Sequence, residues 1–139
     1  MCTLAGKGMI SFRLLNIFIA ILAFFFICAT SYAHNWMAPE DEAKKLNPIP
    51  ITLKSIQKGK EIYEVNCSFC HGENATGLKK EETGLSKVAP NLVNRIKHHT
   101  DGDFHWKIKS GKGDMPSFKD ELSDNDIWHV INFIKRVNK

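Results

Sequence analysis

The first thirty-three residues contain no aspartate or glutamate. Lys7 and Arg13 supply positive charge there, and residues 14–29 are apolar apart from Asn16. Ser31-Tyr32-Ala33 then places small residues at the −3 and −1 positions of a cleavage site. A positive n-region, an apolar h-region and a small-x-small exit predict a secretory signal peptide over residues 1–33, with the mature chain starting at His34. The alternative is an uncleaved membrane anchor, but the apolar run of sixteen positions falls short of the ~20 that a spanning helix needs. Phe26 and Ile27 are too bulky before Cys28 for a lipoprotein signal.

Cysteine is equally scarce. Of four, Cys2 and Cys28 leave with the leader, so only Cys67 and Cys70 remain. An exported chain with one close pair has no disulfide framework. Losing Lys7 and Arg13 takes the net charge from +4 to +2. The lysines are interspersed with acidic residues rather than gathered in a stripe, which excludes a nucleic-acid partner. There is no internal repeat and no convincing strand, so the expected fold class is all-α.

The organisation reads as a leader (1–33), an extension (34–54) and one domain (55–139). Pro39, Pro48 and Pro50 keep the extension from forming a long helix. It reads as a surface-wrapping strap that Trp36 and Met37 could anchor. Ser55 is the expected cap of a helix running to about Asn66, with Ile56, Gly59, Tyr63 and Cys67 on its inward face. A glycine inside a helix costs ~1 kcal/mol, so Gly59 marks a close crossing by another helix. Residues 71–89 are loop-like, and Lys79-Lys80-Glu81-Glu82 is a solvated run. Thr100 with Asp103, and Ser123 with Asp126, have the capping-box pattern and should open two further helices. Phe104 and Ile108 face inward on the first, which Gly111 ends; Ile127, Val130, Ile131 and Ile134 do so on the second. Lys135, Arg136 and Lys139 follow, where positive charge suits the helix dipole.

The chemistry is concentrated in Cys67-Ser68-Phe69-Cys70-His71. Two cysteines three positions apart fall on one face of a helical turn. Their sulfurs can reach the two vinyl groups of one haem, and His71 then places an imidazole under the iron. A C-x-x-C-H run is the attachment site of a c-type haem. A thiol redox pair would want an alternating strand–helix context, which is missing. Zinc would want a second ligand pair, and the adjacent His98 and His99 project in different directions.

Met115, flanked by Gly113 and Pro116, is the candidate for the second axial position. A thioether there closes the iron and raises its reduction potential. His98, His99, His105, His34, His129 and Met37 are the rival ligands, each better read as a surface or locally bonded side chain. Arg95 and Trp106 are candidate haem-propionate donors, through a guanidinium and an indole N–H. Trp106 reads equally as a core aromatic, and Trp128 as packing on its neighbour.

Taken together, these residues resemble a class I cytochrome c of the bacterial monohaem type, over about residues 55–137. Gly59 and Tyr63 match the first helix's Gly-x-x-x-aromatic pattern, Pro90-Asn91-Leu92 the family's Pro-Asn-Leu, and Gly113-Asp114-Met115-Pro116-Ser117-Phe118 the distal loop. Residues 100–111 resemble the helix leading to that loop, and residues 122–128 the start of the C-terminal helix. The resemblance implies short helices around one covalent haem c, with Cys67 and Cys70 as thioethers, His71 and Met115 as axial ligands, and the Pro90 carbonyl accepting from the His71 ring.

The expected function is one-electron transfer in the periplasm between redox partner proteins, with no substrate bond at the iron. Lys79, Lys80, Lys87, Lys112 and Lys119 are candidates for a steering ring, or simply a solvated surface. The alternatives are a haem-bearing subunit of a larger dehydrogenase or reductase, and an open-site haem protein binding small gases or peroxide. Membrane association is expected only if the leader stays attached.

Overall fold

The computed structural model describes residues 36–137. The signal-peptide expectation for residues 1–33, and the roles expected of His34 and Lys139, lie outside the described residues. Among the described residues there are helices and one isolated antiparallel bridge, between Lys112 and Met115, but no strand. No helix among them is long and apolar enough to cross a membrane.

The helices are α1 (Glu40–Ala43), α2 (Leu53–Asn66), α3 (Ser68–His71), α4 (Lys80–Thr83), α5 (Leu92–Arg95), α6 (Asp101–Ser110) and α7 (Asp124–Ile134). The core is built on α2 crossing α7. A Cβ at position 59 would collide with the His129 carbonyl oxygen and come within 3.0 Å of Phe133 Cβ. Only glycine lets the two backbones approach this closely, which is the packing reason for accepting its helix cost. Tyr63, one turn on, is fully buried, its ring centroid 5.0 Å from that of Phe133. Ile127, Val130, Ile131 and Ile134 on α7, and Phe104 and Ile108 on α6, are buried in the same core, as their spacing predicts.

The caps differ in detail. Helix α2 starts two residues before Ser55, with Thr52 as the cap: its hydroxyl accepts from the Ser55 N–H. Ser55 is instead buried inside the first turn, because its hydroxyl has work across the interface: it lies 2.9 Å from His129 Nδ1 and accepts from Asn132 Nδ2 at 2.8 Å. Ser123 and Asp126 form the expected reciprocal box. Thr100 does accept from the Asp103 N–H, but the Asp103 carboxylate turns away from it. It accepts from the Ala38 N–H at 2.8 Å and from Lys107 Nζ at 2.6 Å.

That redirected carboxylate is one of several ties that make the extension a strap. Thr100 Oγ donates to Ala43 O at 2.6 Å, and Asn47 Nδ2 donates to Trp128 O and Asn132 Oδ1. Asn132 donates in turn to Ile49 O at 3.1 Å. Met37 is not an anchor: it is exposed, and backbone and amide groups hold the strap instead. The short helices α1, α4 and α5 have no period long enough to be read from sequence; each is one turn.

Candidate haem site

The site begins where α2 ends. Cys67 closes α2 and opens α3, its N–H bonded to Tyr63 O and its carbonyl accepting from the His71 N–H at 2.9 Å. The Cys67–His71 segment is therefore one continuous turn with both thiols free. The buried Tyr63 hydroxyl donates to Gly72 O at 2.8 Å and fixes the turn's exit. The chain then loops back: Gly77 N bonds to His71 O and Leu78 N to Cys70 O.

Gly77 makes the next approach possible. With φ +83, its absent Cβ would strike the Ala89 carbonyl. Ala89 and Pro90 can thus lie against the loop, and the Pro90 carbonyl comes 3.2 Å from His71 Nδ1. A carbonyl can only accept, so Nδ1 carries the proton and Nε2 is the nitrogen with a free lone pair. His71 is buried, and burial pulls its pKa down despite the opposing Pro90 contact, which keeps the imidazole neutral and able to ligate. In the sequence Gly77 is simply a glycine of the loop-like stretch; its role depends on a contact twelve residues away that no local pattern announces.

Burial, and secondarily the neighbouring Cys70, pushes the Cys67 thiol up to about 12. A thiol redox pair needs the opposite, a depressed thiolate pKa, so the local electrostatics disfavour that reading. Nor is zinc's second ligand pair assembled: among the described residues no group of three or more His, Cys, Asp or Glu side chains is placed to hold a metal ion. The donor set that remains is two free thiols on one turn and one neutral imidazole with Nε2 unengaged. That set fits a covalently attached haem.

Met115 sits in the loop after α6, half-buried against the core. Lys112 and Met115 exchange backbone hydrogen bonds at 2.9 and 3.2 Å, while Ser117 Oγ donates to Lys109 O at 2.7 Å. Of the rival histidines among the described residues, two meet polar partners and a third is stacked in the core. His98 is exposed; His99 pairs with Asp103 at 2.8 Å; His129 meets Ser55; His105 stacks on Trp128 at 4.0 Å. Arg95 is exposed at the end of α5, and Trp106 lines a groove with Lys45, Ser117 and Trp128. Lys79, Lys80, Lys87, Lys112 and Lys119 are all exposed, as are Phe69 and Val88.

An all-α body organised round one C-x-x-C-H turn is the architecture of a class I monohaem c-type cytochrome. Comparison with known proteins agrees. The family described as cytochrome C oxidase, cbb3-type, subunit III matches residues 54–134. Cytochrome c6 of Petalonia fascia is 36% identical over 81 residues, covering 57% of this chain and 88% of that one. Cytochrome c6 of Gracilaria tenuistipitata var. liui is 30% identical over 90 residues, covering 63% and 79%. The cbb3-type cytochrome c oxidase subunit CcoP of Azospirillum brasilense is 32% identical over 92 residues, covering 64% of this chain but 30% of that protein. The chain belongs to this c-type cytochrome family. It therefore carries a covalently attached haem c and works by haem electron transfer with redox partner proteins.

Proposed function

We propose that the protein is an exported, periplasmic one-electron carrier in which Cys67 and Cys70 hold the haem through thioethers and His71 and Met115 fill the two axial positions. The observation that carries this reading is the His71 ring: buried, neutral, its Nδ1 proton committed to Pro90 and its Nε2 left for iron. The haem, when bound, supplies the one-electron chemistry. The chain's part is to orient the imidazole through Pro90, to present the Met115 thioether from a pinned loop, and to withhold other donors by pairing His99 with Asp103 and His129 with Ser55 and by burying His105 against Trp128. Arg95 and Trp106 are the propionate donors of this reading. The exposed lysines around residues 79–87, 112 and 119 steer acidic partners.

The spectrum of the oxidised, matured protein tests it. The weak long-wavelength band of a methionine-sulfur-to-iron bond is expected, together with its loss in Met115→Ala. A low-spin haem without that band would transfer the ligand role to a histidine, and a high-spin spectrum would sink the closed carrier altogether.

A second reading, a haem subunit of a larger redox complex, is favoured by the CcoP match, because the corresponding stretch is only 30% of that protein. Co-purification of the tagged protein from its own cells separates the two: a stable stoichiometric complex supports the subunit, a monomeric haem protein the carrier.

A further inference from the structure

We propose that Asp114 is a positioning residue that, clasped to Ser86, holds the Met115 loop against the segment leading to Pro90. The inference rests on the assignment of Met115 as distal ligand and goes beyond it by naming what keeps that ligand in place. Asp114 is the peptide neighbour of Met115. Its Oδ2 accepts from the Ser86 N–H at 3.0 Å and from the Ser86 hydroxyl at 2.5 Å, across 28 residues of sequence.

The direction of this tie matters. The Lys112–Met115 pair and the Ser117-to-Lys109 bond anchor the methionine loop to its own base, at the end of α6. The Asp114–Ser86 pair runs the other way, to the strand of chain that continues through Ala89 to Pro90. Pro90 orients His71. One carboxylate thus couples the loop that presents the distal sulfur to the loop that orients the proximal imidazole. The bridge leaves Gly113 and Asp114 at the loop's tip and Met115 at its base, and a loop held only at that base can swing as a unit, carrying Met115 with it. A second, charge-assisted attachment point removes that freedom. Sequence patterning cannot show it, since neither residue belongs to a local motif with the other.

The clasp shifts the balance between a seated and a displaced Met115, and a charge-assisted pair at an exposed site weighs about three- to tenfold in such an equilibrium. The test uses the oxidised holoprotein at neutral pH, with imidazole as a probe that displaces an axial methionine. The native protein, Asp114→Ala, Ser86→Ala, the double variant and Ser86→Thr are titrated while the methionine–iron band is followed. Asp114→Ala should bind imidazole about three- to tenfold more tightly. Ser86→Ala should show a smaller effect, because its N–H remains. The double variant should resemble Asp114→Ala rather than the product of the two, since both substitutions break one contact. Ser86→Thr, which keeps the hydroxyl, should stay near native.

Native imidazole affinity in Asp114→Ala, with the band present, would overturn the clasp while leaving Met115 as ligand. A fall in thermal midpoint with unchanged imidazole binding would also overturn it, making the pair merely structural. Absence of the band from the native protein would remove the ligand assignment itself, and the clasp with it.

Discussion

One amide side chain does much of the joining in this molecule. Asn132 lies on α7 and is almost fully buried. It donates to Ser55 Oγ and to the Ile49 carbonyl, and accepts from Asn47. These bonds tie the strap, the start of α2 and the C-terminal helix together. Replacing Asn132 by leucine keeps the volume but leaves buried polar groups without partners. An unsatisfied buried group costs about 1–3 kcal/mol, and the expected outcome is a loss of that order, read as a lower denaturant midpoint of the holoprotein with an unchanged haem spectrum. From sequence, Asn132 is a polar break in an apolar helix face, and its partners are 77 to 85 residues away. By contrast the Cys67, Cys70 and His71 pattern is visible in the sequence at once, because its spacing lies within a single turn.

At the scale of elements, helix identity was legible and helix limits were not. The capping signals at Ser123 and Asp126 are local and act as written. Ser55 is as good a cap as Thr52 by residue type; burial against α7 decided between them by giving the Ser55 hydroxyl partners on His129 and Asn132. Asp103 shows the same override, its carboxylate drawn from its own helix start to Ala38 and Lys107. Burial alone would raise this carboxyl, but the Lys107 ammonium and the Ala38 N–H outweigh it and hold it below the ordinary range. The α2–α7 crossing gives the sharpest test. Gly59→Ala adds helix propensity yet forces a methyl into the His129 carbonyl. Overpacking costs typically about 1–3 kcal/mol, so a clear destabilisation in chemical denaturation is expected. A stabilised variant would show that the crossing is looser than described.

For the whole molecule, pH is the informative variable. His105 is buried, stacked on Trp128, and its two ring nitrogens make no hydrogen bond; Asp124 Oδ1 is 3.5 Å from Nε2. Desolvation by burial lowers its pKa from 6.5, Lys109 and Lys45 lower it further, and Asp124 and Glu42 oppose them. The unfolded chain therefore binds this proton at higher pH than the folded one. The contribution to stability is complete above about 6.5 and is lost as pH falls from there toward the lowered folded value. His105→Phe keeps the stack and removes the titration. Its thermal midpoint should fall less steeply than that of the native protein as pH drops below 6.5, measured on both holoproteins. Parallel slopes would show that His105 does not titrate in this window.

The sequence alone pointed to the cofactor, because the C-x-x-C-H turn is a short-range geometry that survives any tertiary context, and to the class of protein through its resemblance over residues 55–137. It also settled which faces of α2, α6 and α7 are apolar, since period and residue type are local. Tertiary structure decided the rest: the close pass of Gly77 under Ala89 that brings Pro90 to His71, the strap's grip on α6 and α7, and the Ser86–Asp114 pair. Each is a contact between residues far apart in the chain, and its energy depends on where burial and packing put the partners rather than on what either residue prefers by itself.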